Sequence, residues 1–274
     1  MRIRAGYRIT YDSPAPTPML LMLNLRQERL ADLETPDLIH TDPHVPMRQY
    51  RDQFGNLCTR ILAPGGTMTL SADFVVRDSG VPDPVFPDAA QFMIDQLPDD
   101  VIVFLLGSRY CETQSLNDLA WKLFGDITPG WARAQAIVKY AHERITFGYE
   151  HARPDKTAFE AHEERLGVCR DYAHLAIALC RCMNIPARYC TGYLGDIGIP
   201  VEGVMDYSAW MEVYLGGQWR TMDARHNKPR IGRIMMAYGR DATDVAIVTN
   251  FGPATLVDFQ VITDELPEPV ARAG

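Results

Sequence analysis

The sequence predicts an α+β fold, and three observations carry that prediction. Short runs rich in β-branched and aromatic residues occupy the first 85 or so positions. A stretch dense in proline, glycine and aspartate follows, and helix-period segments then give way to a second set of strand-like runs.

In the first region "RAGYRITY", "PMLLMLNLR", "LCTRILA" and "TMTLSADFVV" read as strands, separated by the turn formers "SPAPTP", "DQFGN" and "APGG". Residues 1–85 are therefore expected to form an antiparallel β domain without chemistry of its own. "RDSGVPDPVFPDAA" marks the expected boundary, with a core domain over 86–266 and a flexible tail over 267–274. Inside the core "SLNDLAWKLFGD", "PGWARAQAIVKYAHERI" and "TAFEAHEERL" each open on a Ser, Pro or Thr start signal for a helix. A further helix is expected over roughly 169–183, and then "ARYCTGYLG", "SAWMEVYL", "QWRTMDA" and "IGRIMMAY" alternate with the period of strands. Gly216-Gly217 is a two-residue hairpin signal that sets Leu215 opposite Gln218. In that register Ser208, Trp210, Glu212 and Asp223 share one sheet face, with Ser208 diagonal to Asp223 and facing Arg225.

Composition bounds the function. The 274 residues are 47% apolar and 23% charged, with a net charge of −8 and lysines and arginines scattered along the chain. No basic face suits a phosphate backbone, so nucleic acid is set aside as a partner. No apolar run is long enough to span a bilayer, and "MRIRAGYRITYDSP" lacks the apolar core of a signal peptide. The expectation is a soluble cytoplasmic protein without membrane contact, its six cysteines free thiols. No C-x-x-C pair occurs, and Cys180 and Cys182 point in different directions on a helix, so neither a metal nor a cofactor is expected. The pattern carries no signal for oligomeric state.

The informative stretch is "RLGVCRDYAHLAIALC", which places Cys169 where a loop becomes a helix. First-turn N–H groups lack helical acceptors and present the positive end of the dipole, which favours a thiolate and can hold an adjacent oxyanion. Gly167 would leave a substrate carbonyl room near the backbone, while Arg170 adds positive charge that Asp171 partly cancels. A core reading competes, because Cys169, Ala173, Ala176 and Cys180 share one helical stripe. On the helix alone both stand.

The longer segment "TAFEAHEERLGVCRDYAHLAIALCRCMNIPARYCTGYL" resembles the core of bacterial transglutaminase-like proteins, relatives of papain-type cysteine peptidases. "AWMEVYLGGQWRTMDARHN" resembles the family segments that carry the other two triad residues, and "GRDATDVA" resembles a further one. The resemblance covers roughly 115–250; more loosely, the N-terminal part is similar to the β-sandwich domain that precedes such cores. It implies a nucleophile helix packed on an antiparallel sheet, with Cys169 as nucleophile and Asp223 as the triad carboxylate. It also implies a thioester formed on an amide or peptide carbonyl of a peptide or protein substrate and released to water or an amine. The family's histidine falls immediately before Ala-Trp, where this chain has Ser208. A serine hydroxyl relays a hydrogen bond but does not hold a thiol's proton near neutral pH.

Among the histidines, His226 is the candidate substitute. In the hairpin register it points to the opposite face, unless the strand ends near Ala224. His174 reads as a packed or capping residue, His142, His151 and His162 as surface or structural, and His40 and His44 as loop residues. Tyr149 could lend a hydroxyl to an oxyanion site or serve as a core or interface tyrosine; Trp210 and Trp219 could wall a groove or simply be sheet aromatics. Two functions remain open: a cysteine peptidase, amidase or acyltransferase using Cys169, Asp223 and His226, or a catalytically degenerate relative whose cleft binds a peptide or protein. A redox-responsive thiol is weaker, since Cys169 has no evident cysteine partner.

Overall fold

The structure, a computed structural model, describes residues 1–200 and 205–267. Apart from Pro267, the expected tail lies outside the described residues. In chain order the first region holds β1 (Arg2–Ser13), β2 (Thr17–Leu21), β3 (His40–Asp42), β4 (Arg48–Arg51), β5 (Leu57–Ala63) and β6 (Gly66–Arg77). The helical region follows: α1 (Asp99–Ile102), α2 (Asn117–Phe124), α3 (Trp131–Arg144), β7 (Thr146–Phe147), α4 (Ala158–Glu164), β8 (Leu166–Gly167) and α5 (Cys169–Cys182). The chain ends with β9 (Ala187–Tyr193), β10 (Tyr207–Leu215), β11 (Gln218–Met222), β12 (Ile234–Gly239), β13 (Val248–Asn250) and β14 (Thr255–Leu266). No helix among the described residues is long and apolar enough to cross a membrane.

Strict alternation builds the N-terminal sandwich. Ile3, Ala5, Tyr7 and Ile9 of β1 and Met68, Leu70, Ala72, Phe74 and Val76 of β6 point inward, against Met19, Leu21, Ile61 and Ala63 of the opposing sheet. The two sheets run in the orders β14-β1-β6-β3 and β13-β2-β5-β4. Their shared core extends to Tyr193, Tyr207 and Ile234, so the sandwich packs directly on the sheet behind it.

β13 and β14 fall in the range expected for the core domain, yet they pair with β2 and β1. The chain thus returns to the sandwich, and β14 covers a long edge of β1 whose N–H and C=O groups would otherwise lack partners.

The core matches the α+β layout expected from the sequence. α5 is buried along almost its whole length, with α3 and α4 on one side and the antiparallel sheet β11-β10-β9-β12 on the other. Ala209, Met211, Val213 and Leu215 of β10 face this helical core. The β10–β11 hairpin keeps the register set by Gly216 and Gly217, with Leu215 opposite Gln218 and Met211 opposite Met222; both glycines adopt positive φ, of 60° and 76°. The proline-rich joint after β6 is anchored to the sheet, because the Asp83 N–H donates to the Arg230 carbonyl at 2.9 Å and the Asp83 carboxylate accepts from the Arg230 N–H at 2.9 Å and from Arg233 Nε at 2.8 Å.

Candidate active site

Cys169 is the first residue of α5 and is half-buried. The helix start is held from within: the buried Asp171 carboxylate accepts the Val168 N–H at 2.8 Å, one half of a capping box. This carboxylate also explains Gly167, where a Cβ would lie 2.6 Å from Asp171 Oδ2. The glycine therefore makes room for the cap. Burial pushes the Cys169 thiol up to about 11, although the Arg225 guanidinium and the Ala209 N–H favour the thiolate. Asp206 and Asp223 oppose them. At rest the sulfur is therefore a protonated thiol.

A cavity of about 430 Å³ opens over this sulfur. Cys169, Ser208, Asp206, Tyr189, Thr191 and Arg170 contribute to its wall, and no histidine does. The structure thus brings Cys169 and Ser208 onto one cavity. Ser208 is 4% exposed and its Oγ has no hydrogen-bond partner, while its carbonyl accepts from Thr191 Oγ1 at 3.3 Å. Burial raises the Asp206 carboxyl above its ordinary value, and its Oδ1 accepts the Tyr207 N–H at 2.6 Å.

Asp223 and His226 lie outside the lining of that cavity and face each other. β11 ends at Met222 and the chain turns, so His226 folds back on the carboxylate instead of continuing along the strand. Its N–H donates to Asp223 Oδ1 at 3.0 Å, and its Nδ1 lies 2.9 Å from Oδ2. Arg233 Nη2 donates to the same Oδ2 at 2.7 Å. Burial alone would raise the Asp223 carboxyl, but Arg233 and His226 hold it well below the usual carboxylate range.

The other candidates settle into distinct roles. His174 is fully buried, accepts the Ala242 N–H on Nε2 at 3.2 Å and stacks on Tyr110 with 5.2 Å between ring centroids. Burial drives its pKa down to about 3, against the pull of Asp241, so it is a neutral packing residue. His142 lies 2.9 Å from the Arg225 carbonyl and 3.2 Å from that of Ala224, tying α3 to the turn after β11. His162 stacks on Tyr140, and His151 sits in a short 3-10 turn. Tyr149 is half-exposed, within electrostatic reach of Cys169 and Arg225. Trp210 lies on the other side of the sheet from α5, and Trp219 packs against Phe104 and Arg188.

Two residues near the sulfur escaped the sequence reading. Asp206 sits in a loop before β10 with no periodicity to mark it. Arg225 did leave a signal, since the hairpin register sets it opposite Ser208; its guanidinium lies 4.0 Å from the centre of the Phe147 ring. Among the described residues no three His, Cys, Asp or Glu side chains converge in a way that could hold a metal ion.

Comparison with known proteins agrees with this architecture. Residues 118–224 match the family model of the transglutaminase-like superfamily. An uncharacterised protein of Mycobacterium leprae is 31% identical over 116 residues, which is 40% of this chain and 41% of that protein's length. The chain thus spans about two fifths of that curated relative. A solved structure named "Putative Cysteine Protease", from Cytophaga hutchinsonii, is 29% identical with a TM-score of 0.82, over 98% of this chain and 92% of the other. Residues 118–224 thus match a transglutaminase-like core, carried with a β-rich N-terminal region in a chain that shares the fold of that Cytophaga protein over 98% of its length.

Proposed function

We propose that the chain is a transglutaminase-like cysteine amidase of low intrinsic turnover, acting on a peptide or protein carboxamide through Cys169. The observation that carries this reading is the half-buried thiol at the start of α5, open to a cavity that also holds a carboxylate. Cys169 Sγ attacks the substrate carbonyl carbon while its proton passes to Asp206, with Arg225 offsetting the charge that develops on sulfur. The N–H groups of Cys169 and Arg170, at the start of the helix, receive the oxyanion. Collapse breaks the C–N bond, the leaving amine takes the proton from Asp206, and water or a second amine then releases the thioester. A carboxyl is further from a thiol in pKa than an imidazole is, which makes the attack slow. The Asp223–His226 pair takes no part in proton transfer in this scheme.

A second reading has its own observation: a thiol pushed up to about 11 beside a serine suits a cleft that binds a peptide without cleaving it. Incubation with glutamine-containing peptides, followed by ammonia release and trapping of the acyl-enzyme, separates the two. The amidase reading expects slow turnover that vanishes in Cys169→Ala and falls in Asp206→Asn. Saturable peptide binding with no Cys169-dependent product would establish the binding module instead.

A further inference from the structure

The outward face of the sandwich sheet β13-β2-β5-β4 carries a groove of about 680 Å³, within the usual size of ligand sites, roughly 300–1,000 Å³. A solvent-facing sheet surface ordinarily alternates to polar side chains. This one keeps apolar residues: Pro18 of β2 lies opposite Leu62 of β5, and Phe251, just after β13, donates its N–H to the Pro18 carbonyl at 2.9 Å. The helical core covers one end of the face, where Met22 and Cys58 join its apolar cluster and Leu20 packs against it. The rest is uncovered, with Leu62 56% and Phe251 66% exposed. Met47 and Tyr50 extend the apolar wall.

Two charges interrupt this surface. Arg48 of β4 and Arg60 of β5 stand directly opposite each other, so both side chains leave the same face, and both line the groove. Like charges directly opposite on paired strands repel. The arginines of β1, on the other sheet of the sandwich, each meet a carboxylate: Arg2 meets Glu34, Arg4 meets Asp73 and Arg8 meets Asp258. Among the described residues Arg48 and Arg60 have no carboxylate partner, and no acidic side chain lines the groove. In a chain of net charge −8, two unpaired cations thus face each other over uncovered apolar surface.

We infer that this groove docks a polypeptide segment bearing an acidic side chain among apolar ones, the carboxylate between Arg48 and Arg60 and the apolar neighbours on Leu62, Phe251 and Tyr50. The carboxylate turns a repulsion into two attractions, and the apolar side chains cover what the helical core leaves open. Strand β13 says whose segment it is. Ile247, immediately before the strand, contributes to the wall of the Cys169 cavity, and Phe251, immediately after it, lines the groove. The two residues are roughly 13 Å apart along the strand, a span that about four residues of extended polypeptide cover. The docked segment therefore belongs to the polypeptide received at Cys169, an inference that rests on the reading of that cavity given above. An anionic bilayer suits the groove less well, since it would meet only these two cations on a chain of net charge −8.

Panning a random dodecapeptide library against the full chain carrying Cys169→Ala tests this, with the selected peptides then titrated by fluorescence anisotropy. Enriched peptides should carry an aspartate or glutamate among apolar residues. Arg60→Glu should weaken their binding roughly tenfold, while the melting temperature of the free chain holds or rises because a repelling pair becomes an attracting one. Leu62→Asp, at an exposed position, should weaken binding as well. Extending a selected peptide by a glutamine-containing tetrapeptide should slow iodoacetamide labelling of Cys169 in the wild-type chain. None of these readouts needs turnover, so the docking site and the amidase reading fail separately. No enrichment, peptides without an acidic residue, or affinity untouched by both substitutions would overturn the inference. Absence of protection by every extended peptide would break the link to Cys169. Binding of phosphatidylglycerol vesicles in place of peptides, or a dimer that Leu62→Asp dissociates, would give the groove a different occupant and refute it.

Discussion

Two neighbouring regions of the core differ in what they bring together. At the start of α5, Cys169 shares a cavity with Ser208 and Asp206, and no imidazole contributes to its wall. In the turn after β11, His226 is held by a carboxylate that is itself clamped by Arg233. The first region has a thiol with no imidazole in its cavity wall; the second has an imidazole oriented on a carboxylate, outside that wall. The difference teaches that the surroundings of a thiol are set by single side chains on the facing strand, and at 208 that side chain is a serine.

The sharpest way to break the contrast is to supply the missing group. Ser208→His places an imidazole in the cavity with Cys169, and base assistance is worth roughly 10²–10⁴-fold. Cys169-dependent amide turnover or acylation should rise by that order, measured as an initial rate; no gain would mean that position 208 does not address the sulfur. Next in size is the other region. Asp223→Ala leaves the buried Arg233 without one of its two carboxylates, and removing one partner of a buried pair typically costs about 3–5 kcal/mol, read from denaturant unfolding. A loss below about 1 kcal/mol, the range of surface pairs, would show that the clamp is solvated.

Much of this contrast was legible beforehand, and for physical reasons. Cys169 at a loop-to-helix junction, the Gly216-Gly217 hairpin and its register are local features, and local features survive folding unchanged. The α+β layout followed from a change of period along the chain. Contacts between distant segments were not legible. β14 alternates like a strand, but only its pairing with β1 shows that it belongs to the sandwich. Asp206 stands in a loop, where no spacing rule applies, and the room that Gly167 leaves for the Asp171 cap shows only in the folded helix start. The turn of His226 back onto Asp223 hinged on where β11 stops, and strand ends are the least determined part of any pattern.

Two smaller effects sharpen the comparison through its histidines. Burial holds His174 well below its ordinary value of about 6.5 in the folded chain. As pH drops below that value the unfolded state takes up a proton that the folded state does not, and stability falls. Denaturant unfolding at pH 7 and pH 4 should show it, and a His174→Gln chain should show less of it; an identical pH slope in both would assign the loss to other groups. His226→Ala should have the smallest effect on chemistry, leaving the alkylation rate of Cys169 unchanged while modestly lowering stability through the lost bond to Asp223. A collapse of Cys169 reactivity in that variant would contradict the separation of the two regions.

The most direct measurement is the pH dependence of Cys169 alkylation by iodoacetamide in the native chain, where the other five cysteines are buried. With no imidazole in the wall of the thiol's cavity, the rate should climb through a single ionisation near 11, with no plateau at neutral pH and the same profile in His226→Ala. A rate already level between pH 5 and 8, as a thiolate–imidazolium pair gives, would contradict the account and show that a histidine reaches Cys169 after all.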